Sequence, residues 1–341
     1  MPNLAAKYRP RTWDEVVEQK MVIHMVKGLI DNECMDVRNF LFTGPAGCAK
    51  TTICRILANV LNEGKGEPIE IDAASNSGVD SMRVIIDQAR SYPVGTKWKI
   101  FIIDEVHSFS NAAWQAALKT FEEVPAKTIF LMATTNPEKI PETILSRVQQ
   151  FRLSKISVAG IENRLKYIVE QENKEGQSIT YTDDAISYIA KMANGGMRDA
   201  ITLLEKAIAS DKNITSESLM SSLGLPNYDE FFELLQAYAS KDNTCIARIV
   251  DTVYNSGVNF AKWMTDFHAF TINVVKYILL QDMSRTMIPG HYEAKIKNYG
   301  SSHLMICLIL ANKLVKLNNE LRFSQYQQEL TLTYLCSVVK K

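Results

Sequence analysis

The sequence lacks both a dominant charge of one sign and any long apolar run. Its 38 Lys and Arg residues equal its 38 Asp and Glu residues. The chain as a whole therefore has no electrostatic attraction for nucleic acid or a membrane, and any anion-binding surface must be a local patch. Apolar runs such as 305–311 are far shorter than the roughly 20 residues of a membrane-spanning helix. Because the basic stretch 1–13 lacks the apolar segment of a signal peptide, we expect neither a secreted nor a membrane protein.

Cysteine is also sparse, and no two cysteines form a C-x-x-C pair. Six cysteines without regular spacing in a chain of 341 residues are typical of reduced thiols, which predicts a cytoplasmic protein. Hydrophobic residues make up 46% of the chain and charged residues 22%, so we expect globular domains with an ample core. At roughly 150 residues per domain, this length predicts two or three domains.

Strand and helix patterns divide the chain into three segments. In the first, 1–153, short β-rich apolar runs alternate with helical patterns, which predicts βαβ units and a mostly parallel sheet. The predicted strands are 40–43, 69–72, 100–104 and 129–133, with a fifth near 149–153, and the helices between them include 51–61, 80–91 and 111–123.

The other two segments have helical patterns. No strand pattern remains in 154–224, so we expect a small helical domain there. A proline and an asparagine within 225–227 predict a linker. Beyond it, apolar side chains recur with helical spacing at Phe231, Leu234, Leu235 and Tyr238, and again at Phe267, Phe270, Val274, Val275 and Ile278. The predicted fold class is α/β followed by all-α.

A glycine-containing loop lies between the first predicted strand and the next helix. It consists of Gly44, Pro45, Ala46, Gly47, Cys48, Ala49, Lys50 and Thr51, and Thr52 continues the helix. Glycines in this context let backbone N–H groups wrap phosphate oxygens, and the helix N-terminus adds its positive dipole end. Lys50 then reaches the β- and γ-phosphates, and Thr51 holds Mg²⁺. Ala49 stands where a glycine is usual, and a glycine turn before an ordinary helix is the alternative.

Polar residues also follow the third and fourth predicted strands. Asp104 is placed to bind Mg²⁺, and Glu105 is placed to polarise an attacking water. Thr135, in the polar run 134–136, is placed to bond the γ-phosphate or that water because ligands bind at carboxyl strand ends. For Asp104 and Glu105, the alternative is a strand that ends in two carboxylates without a catalytic role. For Thr135, the alternative is a polar side chain that only caps the end of its strand. Together with the loop, these residues predict nucleotide binding, and His107 is assigned no metal.

Several motifs resemble those of a known family. They are LAAKYRP at 4–10, WDEVVEQ at 13–19, IEIDAAS at 69–75, IDEVH at 103–107, AALKTFEE at 116–123, ATTNP at 133–137, LSR at 145–147 and GMRDA at 196–200. Together they are similar to the AAA+ sliding-clamp loader ATPases, above all to the gamma/tau family of bacterial DNA polymerase III. The C-terminal third is similar only in its helical character and position.

The resemblance implies a domain plan and roles for single residues. The plan is a nucleotide-binding AAA+ domain at 1–153, a helical lid at 154–224 and a helical collar that joins subunits at 225–341. The residues implied to line the adenine pocket are Tyr8, Arg9, Pro10, Val16 and Val17. Those implied to act on the γ-phosphate are Thr135 as first sensor, Arg198 in the lid as second sensor, and Arg147 as an arginine finger for the neighbouring subunit.

The roles of Arg147 and Arg198 depend on the resemblance, because an isolated arginine is otherwise a solvated surface charge. The family also implies that the protein grips primer–template DNA by its phosphates. Arg83, near the start of a predicted helix, is placed to meet a phosphate, and the alternative is an exposed helix arginine. Lys119, on the helix after Glu105, is a second candidate DNA contact.

Three features depart from the family pattern. Val148 follows Arg147 where the family usually has a cysteine. The stretch 62–68 contains no cysteine where bacterial members carry a four-cysteine zinc module, so we expect no structural zinc. We expect no long C-terminal extension of the tau type, and such a compact form resembles a subunit encoded by a bacteriophage or another mobile replicon.

The resemblance implies an ATPase subunit of a DNA-replication clamp loader, which uses ATP and Mg²⁺ to open a sliding clamp and load it on primer–template DNA. The implied partners are the clamp, other loader subunits in a ring or spiral (a pentamer in the expected form) and the DNA, with no membrane. Two alternatives stay open. One is a non-hydrolysing scaffold subunit, suggested by Ala49. The other is another AAA+ DNA motor such as a branch-migration helicase, because Asp-Glu-x-His also occurs in helicases.

Overall fold

A computed structural model describes residues 3–31, 38–216, 218–219 and 228–336. The chain forms two compact units. The first consists of residues 1–177 and 189–205, and the second consists of residues 178–188 and 206–341. The three-domain division predicted from the sequence stays a prediction, and the predicted linker 225–227 lies outside the described residues.

The first unit contains a five-stranded parallel sheet. Its strands are β1 (Asn39–Thr43), β2 (Ile69–Asp72), β3 (Lys99–Asp104), β4 (Thr128–Thr134) and β5 (Gln149–Arg152), in the order β2-β3-β4-β1-β5. Every neighbouring pair is parallel. The predicted sheet is confirmed, and each strand begins and ends within one residue of its predicted bounds.

Helices cover both faces of this sheet. The helices described in the first unit are α1 (Leu4–Lys7), α2 (Lys20–Asp31), α3 (Lys50–Leu61), α4 (Val79–Ala89), α5 (Asn111–Glu122), α6 (Glu142–Leu145) and α7 (Val158–Lys174), and α8 (Asp183–Met192) and α9 (Met197–Ser210) contain residues of both units. Short 3-10 helices lie at Trp13–Glu15, Val106–Ser108 and Pro137–Lys139.

Strand β3 is apolar along its length because both faces of the sheet are covered. Phe101 and Ile103 pack into the core formed with α4 and α5, whereas Ile100 and Ile102 pack into the core formed with α2 and α3. Since successive side chains of a strand point to opposite faces, one apolar run supplies two cores. The polar residues that follow the run emerge at the carboxyl edge of the sheet.

The second unit is mostly helical. The further helices described in it are α10 (Tyr228–Ser240), α11 (Asn243–Asn255), α12 (Phe260–Leu280), α13 (Glu293–Ile296), α14 (Ser301–Leu321) and α15 (Gln327–Leu335), with short 3-10 helices at Met283–Arg285 and Gly290–Tyr292. The two amphipathic helices predicted there are confirmed as α10 and α12, and their residues Phe231 and Phe270 are both buried. Within the described ranges, no helix combines the length and apolarity needed to cross a membrane.

One short strand pair corrects the expectation that 154–224 contains no strand. β6 (Thr180–Tyr181) and β7 (Asn213–Ile214) pair in parallel, and the backbone N–H of Thr182 donates to the carbonyl of Ile214 at 3.0 Å. The expectation was wrong because a two-residue ladder is too short to give an alternating apolar pattern in the sequence.

Candidate nucleotide-binding site

The first unit contains a cavity of about 530 Å³, a volume typical of small-molecule sites. The N-terminal segment, the loop before α3, the end of β3 and parts of α7 and α9 line it. The lining residues that the sequence predicted are Tyr8, Arg9, Pro10, Val17, Ala46, Gly47, Ala49, Lys50, Thr51, Thr52, Asp104, Glu105 and Arg198. The structure thus brings predicted phosphate, adenine and lid residues to one place.

The loop before α3 has the shape of a phosphate-binding loop. Gly44 and Gly47 have positive φ, at 148° and 71°, a region that glycine adopts without a steric penalty. Lys50 is buried, and its Nζ donates to the carbonyl oxygens of Gly44 at 2.9 Å and Pro45 at 2.8 Å. A cation therefore lies beside the N-terminus of α3, whose first N–H groups have no partner inside the helix. This combination suits a phosphate group.

Ala49 also lies in the left-handed region, with φ 81° and ψ 20°, as the N-cap of α3. A residue with a β-carbon loses about 1–2 kcal/mol in that conformation. Ala49 packs against a small apolar cluster of Val16, Ile23 and Ile56, which offsets part of the strain. Val16 is buried in this cluster and does not line the cavity, whereas its neighbour Val17 does.

The hydroxyl of Thr51 donates to Oδ2 of Asp104 at 2.7 Å. Oδ1 of the same carboxylate accepts from the backbone N–H of Glu105 at 2.9 Å. Asp104 ends β3 and Thr51 lies in the first turn of α3, so two adjacent elements fix this oxygen pair. Hydroxyl and carboxylate oxygens are hard ligands of the kind that Mg²⁺ prefers. The residues present therefore fit a magnesium ion beside Lys50.

Glu105 lies between β3 and the 3-10 helix at 106–108, in a left-handed conformation with φ 48° and ψ 43°. Thr135 donates from Oγ1 to Oε2 of Glu105 at 3.2 Å, and Nδ1 of His107 lies 3.2 Å from the same oxygen. Thr135 does not itself line the cavity. It contacts the site through the carboxylate that was predicted to act on water.

Helix α9 begins against the phosphate loop. The backbone N–H of Met197 donates to the carbonyl of Gly47 at 3.0 Å. A β-carbon on Gly47 would lie 2.8 Å from Cα of Gly196, so the absence of side chains allows this close approach. Arg198 comes next in the chain, is exposed and lines the cavity. The lid arginine is therefore held next to the loop by backbone contacts.

Helix α7 holds the N-terminal segment. Glu172 accepts hydrogen bonds from Nζ of Lys7 and from the hydroxyl of Tyr8, each at 2.7 Å, and Arg164 donates to the carbonyl of Tyr8 at 3.0 Å. Burial raises the pKa of the Glu172 carboxyl, but the bonds from Lys7 and Tyr8 outweigh burial and lower it overall. Burial and the bond to Glu172 raise the pKa of Tyr8 to about 12. Tyr8 is therefore a neutral donor near pH 7.

Some predicted residues lie outside the lining of the cavity, namely Val16, Gly44, Pro45, Cys48, Thr135, Arg147, Arg83 and Lys119. Arg147 pairs with Glu122 at 3.1 Å. Arg83 pairs with Asp80 at 3.1 Å on the exposed side of α4. Lys119 is exposed on α5. None of these positions tests the DNA or neighbouring-subunit roles, which stay predictions.

Two side chains that contact the N-terminal segment had no signal in the sequence. Arg164 and Glu172 both lie on α7, more than a hundred residues after the segment that they contact. Asp199 also lines the cavity, and its place beside Arg198 in the motif GMRDA was the only signal for it.

The described cysteines do not form a metal site. They are free thiols at Cys48, Cys54, Cys245, Cys307 and Cys336. In the described part of the chain, no group of three or more His, Cys, Asp or Glu residues is placed to hold a metal ion. The expected lack of a structural zinc stays a prediction.

Three family models match the chain. They are described as "Rad17 P-loop domain" over residues 3–92, "DNA polymerase III, delta subunit" over 67–157, and "DNA polymerase III clamp loader subunit, ATPase lid domain" over 160–213. Together with the loop, the Asp104–Glu105 pair and the lid arginine, they define the chain as a nucleotide-binding AAA+ P-loop ATPase.

Curated relatives give the particular family. The DNA polymerase III subunit gamma of Buchnera aphidicola subsp. Baizongia pistaciae is 32% identical over 343 residues, which cover 91% of this chain and 90% of the relative. The subunit tau/gamma of Haemophilus influenzae is 34% identical over 76% of this chain, which spans only 40% of that relative. The chain belongs to the DNA polymerase III gamma/tau family of clamp-loader ATPase subunits. It spans 42% of the Escherichia coli subunit tau.

Solved structures share the fold. The Thermotoga maritima RuvB Holliday junction branch migration motor matches with a TM-score of 0.51 and 19% sequence identity, over 67% of this chain and 78% of that one. At this identity the likeness shows the fold alone. It agrees with the predicted α/β and helical architecture.

Proposed function

We propose that the chain is an ATP-hydrolysing subunit that opens a sliding clamp and loads it on primer–template DNA. One observation carries the proposal: Lys50, Thr51, Asp104, Glu105 and Arg198 line a single cavity. They supply a cation for phosphates, an oxygen pair for Mg²⁺, a carboxylate for water and a lid cation. Transfer of a phosphoryl group to water needs these parts. Membership of the gamma/tau family supports the same function.

ATP is the substrate, and its reaction with water breaks the bond between the γ-phosphorus and the bridging oxygen to give ADP and phosphate. Lys50 exchanges its two loop carbonyls for the β- and γ-phosphates. Thr51 and Asp104 hold Mg²⁺, which when bound neutralises charge on the phosphate oxygens. Glu105 polarises the attacking water, and Thr135 contacts the carboxylate of Glu105. Arg198 binds the γ-phosphate from the lid.

The adenine lies against the N-terminal segment, whose lining residues include Ala5, Ala6 and Pro10. Tyr8, Arg9, Pro10 and Val17 all line the cavity and form this adenine pocket. The three domains are the AAA+ domain at 1–153, the lid at 154–224 and the collar at 225–341. The protein contains no structural zinc and works in the cytoplasm.

The assembly supplies the remaining groups. Arg147 acts as a finger on the ATP of the neighbouring subunit. Its position outside the lining of this chain's own cavity supports that role. The partners are other loader subunits in a ring or spiral of five, the sliding clamp and primer–template DNA. Arg83 and Lys119 contact DNA phosphates, so DNA binding weakens as salt rises.

ATP hydrolysis by the purified chain, with loader partners and clamp, tests this function. We expect DNA to stimulate turnover, and Lys50→Ala and Arg147→Ala each to abolish most of it. A mixture of the two variants separates a finger in trans from one in cis. In mixed assemblies, an Arg147→Ala chain keeps its own loop and receives Arg147 from its Lys50→Ala neighbour, so activity partly returns. A mixture without any recovery contradicts the role in trans.

A non-hydrolysing scaffold subunit is the second candidate, favoured by the left-handed Ala49. In that function the chain assembles and donates Arg147 without turning over its own ATP. Ala49→Gly separates the two functions, because glycine removes both the strain and the methyl group. A large gain in ATP affinity favours the scaffold. Wild-type turnover with little change in affinity favours the ATPase.

A further inference from the structure

His107 lies between two polar groups of the site, and none of the roles above uses its side chain. Nδ1 of its ring is 3.2 Å from Oε2 of Glu105 and 3.0 Å from Oγ1 of Thr134. The side chain is only 16% exposed. A largely buried imidazole that contacts the carboxylate expected to act on water is placed to influence the reaction.

The backbone fixes this ring in place. Glu105 turns the chain at the end of β3 with a left-handed conformation, and the 3-10 helix Val106–Ser108 follows directly. Val106 is completely buried in the core, and the N–H of Ser108 donates to the carbonyl of Glu105 at 2.9 Å. Thr134 ends β4, the strand that pairs with β3. The side chains of His107 and Glu105 therefore meet on backbone segments that are anchored in the fold.

The chemistry of the two groups decides which form of the ring suits the contact between Nδ1 and Oε2. An ionised carboxylate only accepts hydrogen bonds, so the contact is favourable when Nδ1 carries a proton, which then faces both Oε2 of Glu105 and Oγ1 of Thr134. Oγ1 of Thr135 lies 3.2 Å from the same oxygen and 2.9 Å from Oδ1 of Asn136, so two acceptors share its one proton. Within the described residues no group forms a hydrogen bond with Oε1. The two side chains that contact this carboxylate therefore do so at Oε2 and leave Oε1 available to a water molecule.

We propose that His107 is a positioning residue for Glu105: the contact of its Nδ1 with Oε2 orients the carboxylate so that Oε1 is left for the attacking water. This inference rests on the proposed ATPase function. Oγ1 of Thr134 lies 3.0 Å from the same nitrogen and fixes the ring beside Oε2, and this hydroxyl also accepts the backbone N–H of Asn136 at 3.1 Å. Without His107, Thr135 alone holds the carboxylate. A catalytic group displaced by about 1 Å reduces the rate by on the order of 10²-fold.

Variants of His107 in the full chain, with loader partners and DNA present, test the role. His107→Phe keeps a ring without nitrogen, and we expect kcat to fall about 10- to 100-fold while KM for ATP and the melting temperature stay close to wild type. His107→Asn places an N–H on the atom next to Cγ, as Nδ1 does, and recovers most of kcat. His107→Gln places its amide one bond further out and recovers less.

A matched control and two contrary results make the test decisive. His24 is exposed on α2, and His24→Phe leaves kcat unchanged. If His107→Phe keeps the wild-type kcat, or if the Phe and Asn variants lose equal activity, the positioning role is wrong. If the wild-type chain hydrolyses no ATP with every partner present, the proposed function is wrong and the role of His107 falls with it. Turnover in the wild type therefore distinguishes the two failures.

Discussion

The backbone N–H of Met197 donates a hydrogen bond to the carbonyl of Gly47 at 3.0 Å. This bond joins the first turn of α9 to the phosphate loop, and Gly196 allows the two backbones to approach. Because Arg198 is the next residue in the chain, a change in the loop backbone acts on this arginine through one hydrogen bond. The relationship gives the phosphate loop a direct physical link to the lid.

Gly47→Ala should break this link. The β-carbon adds the backbone penalty of a positive φ and would lie 2.8 Å from Cα of Gly196, an overlap with backbone atoms that typically destabilises by about 1–3 kcal/mol. Gly95→Ala is the matched control, because Gly95 has nearly the same φ of 74° and a β-carbon there would meet open space among the described residues. We expect ATP affinity to fall more than 10-fold in Gly47→Ala alone, measured with a fluorescent ATP analogue. Equal losses in both variants would contradict a specific contact with the lid.

Much of the fold and of the phosphate site followed from the sequence, for one physical reason. In a parallel sheet with helices on both faces, strands are continuous apolar runs, and the residues after them meet at one edge. Thr51 and Asp104 were predicted to cooperate on this basis, and their oxygens are 2.7 Å apart. The family resemblance then added Arg198, whose place in the cavity lining no local pattern indicates.

Contacts between distant parts of the chain could not be predicted in this way. The bonds of Lys7 and Tyr8 to Glu172 depend on how α7 packs against the N-terminal segment. Val16 and Val17 are adjacent in an apolar pair, and only the packing of Val16 with Ile56 decides which of them faces the cavity. An origin in a bacteriophage also stays a prediction.

Thr51→Ala should weaken magnesium binding more than nucleotide binding. The variant removes the hydroxyl that bonds Oδ2 of Asp104, and loss of one supporting oxygen typically reduces metal affinity or activity about 10- to 100-fold. We expect the Mg²⁺ concentration for half-maximal ATP hydrolysis to rise by that factor. Thr51→Ser keeps the hydroxyl and should stay within a few-fold of wild type. If Thr51→Ala has the wild-type Mg²⁺ dependence, Thr51 does not hold the ion.

Glu172→Gln should lower stability in a pH-dependent way. Because the pKa of this carboxyl is lower in the folded chain than its ordinary value of 4.5, the ionised form stabilises the fold fully above that value. The contribution is lost as pH falls through the lowered folded value. We expect the variant to lose about 1 kcal/mol in urea denaturation at pH 7, and the difference from wild type to shrink below about pH 4.5. Glu175→Gln is the control, since Glu175 also contacts Lys7 but is more than half exposed. A difference that persists unchanged at low pH would contradict this linkage.

In a buried tyrosine pair of the second unit, removal of either hydroxyl should lower the free energy of unfolding by a different amount. The hydroxyls of Tyr188 and Tyr228 lie 3.2 Å apart, and that of Tyr228 also donates to the carbonyl of Met287 at 3.5 Å. The bond between the tyrosines is therefore donated by Tyr188. Burial raises the pKa of both hydroxyls, so both are neutral at pH 7.

Tyr188→Phe leaves Tyr228 its bond to Met287, and we expect a loss of about 1 kcal/mol in the free energy of unfolding. Tyr228→Phe leaves the buried Tyr188 hydroxyl without a partner, and such a group typically costs about 1–3 kcal/mol. The double variant has no orphaned hydroxyl, so its loss should be smaller than the sum of the two single losses. Urea denaturation of all three variants measures these differences. Equal single effects that add in the double variant would mean that the two hydroxyls do not form a pair.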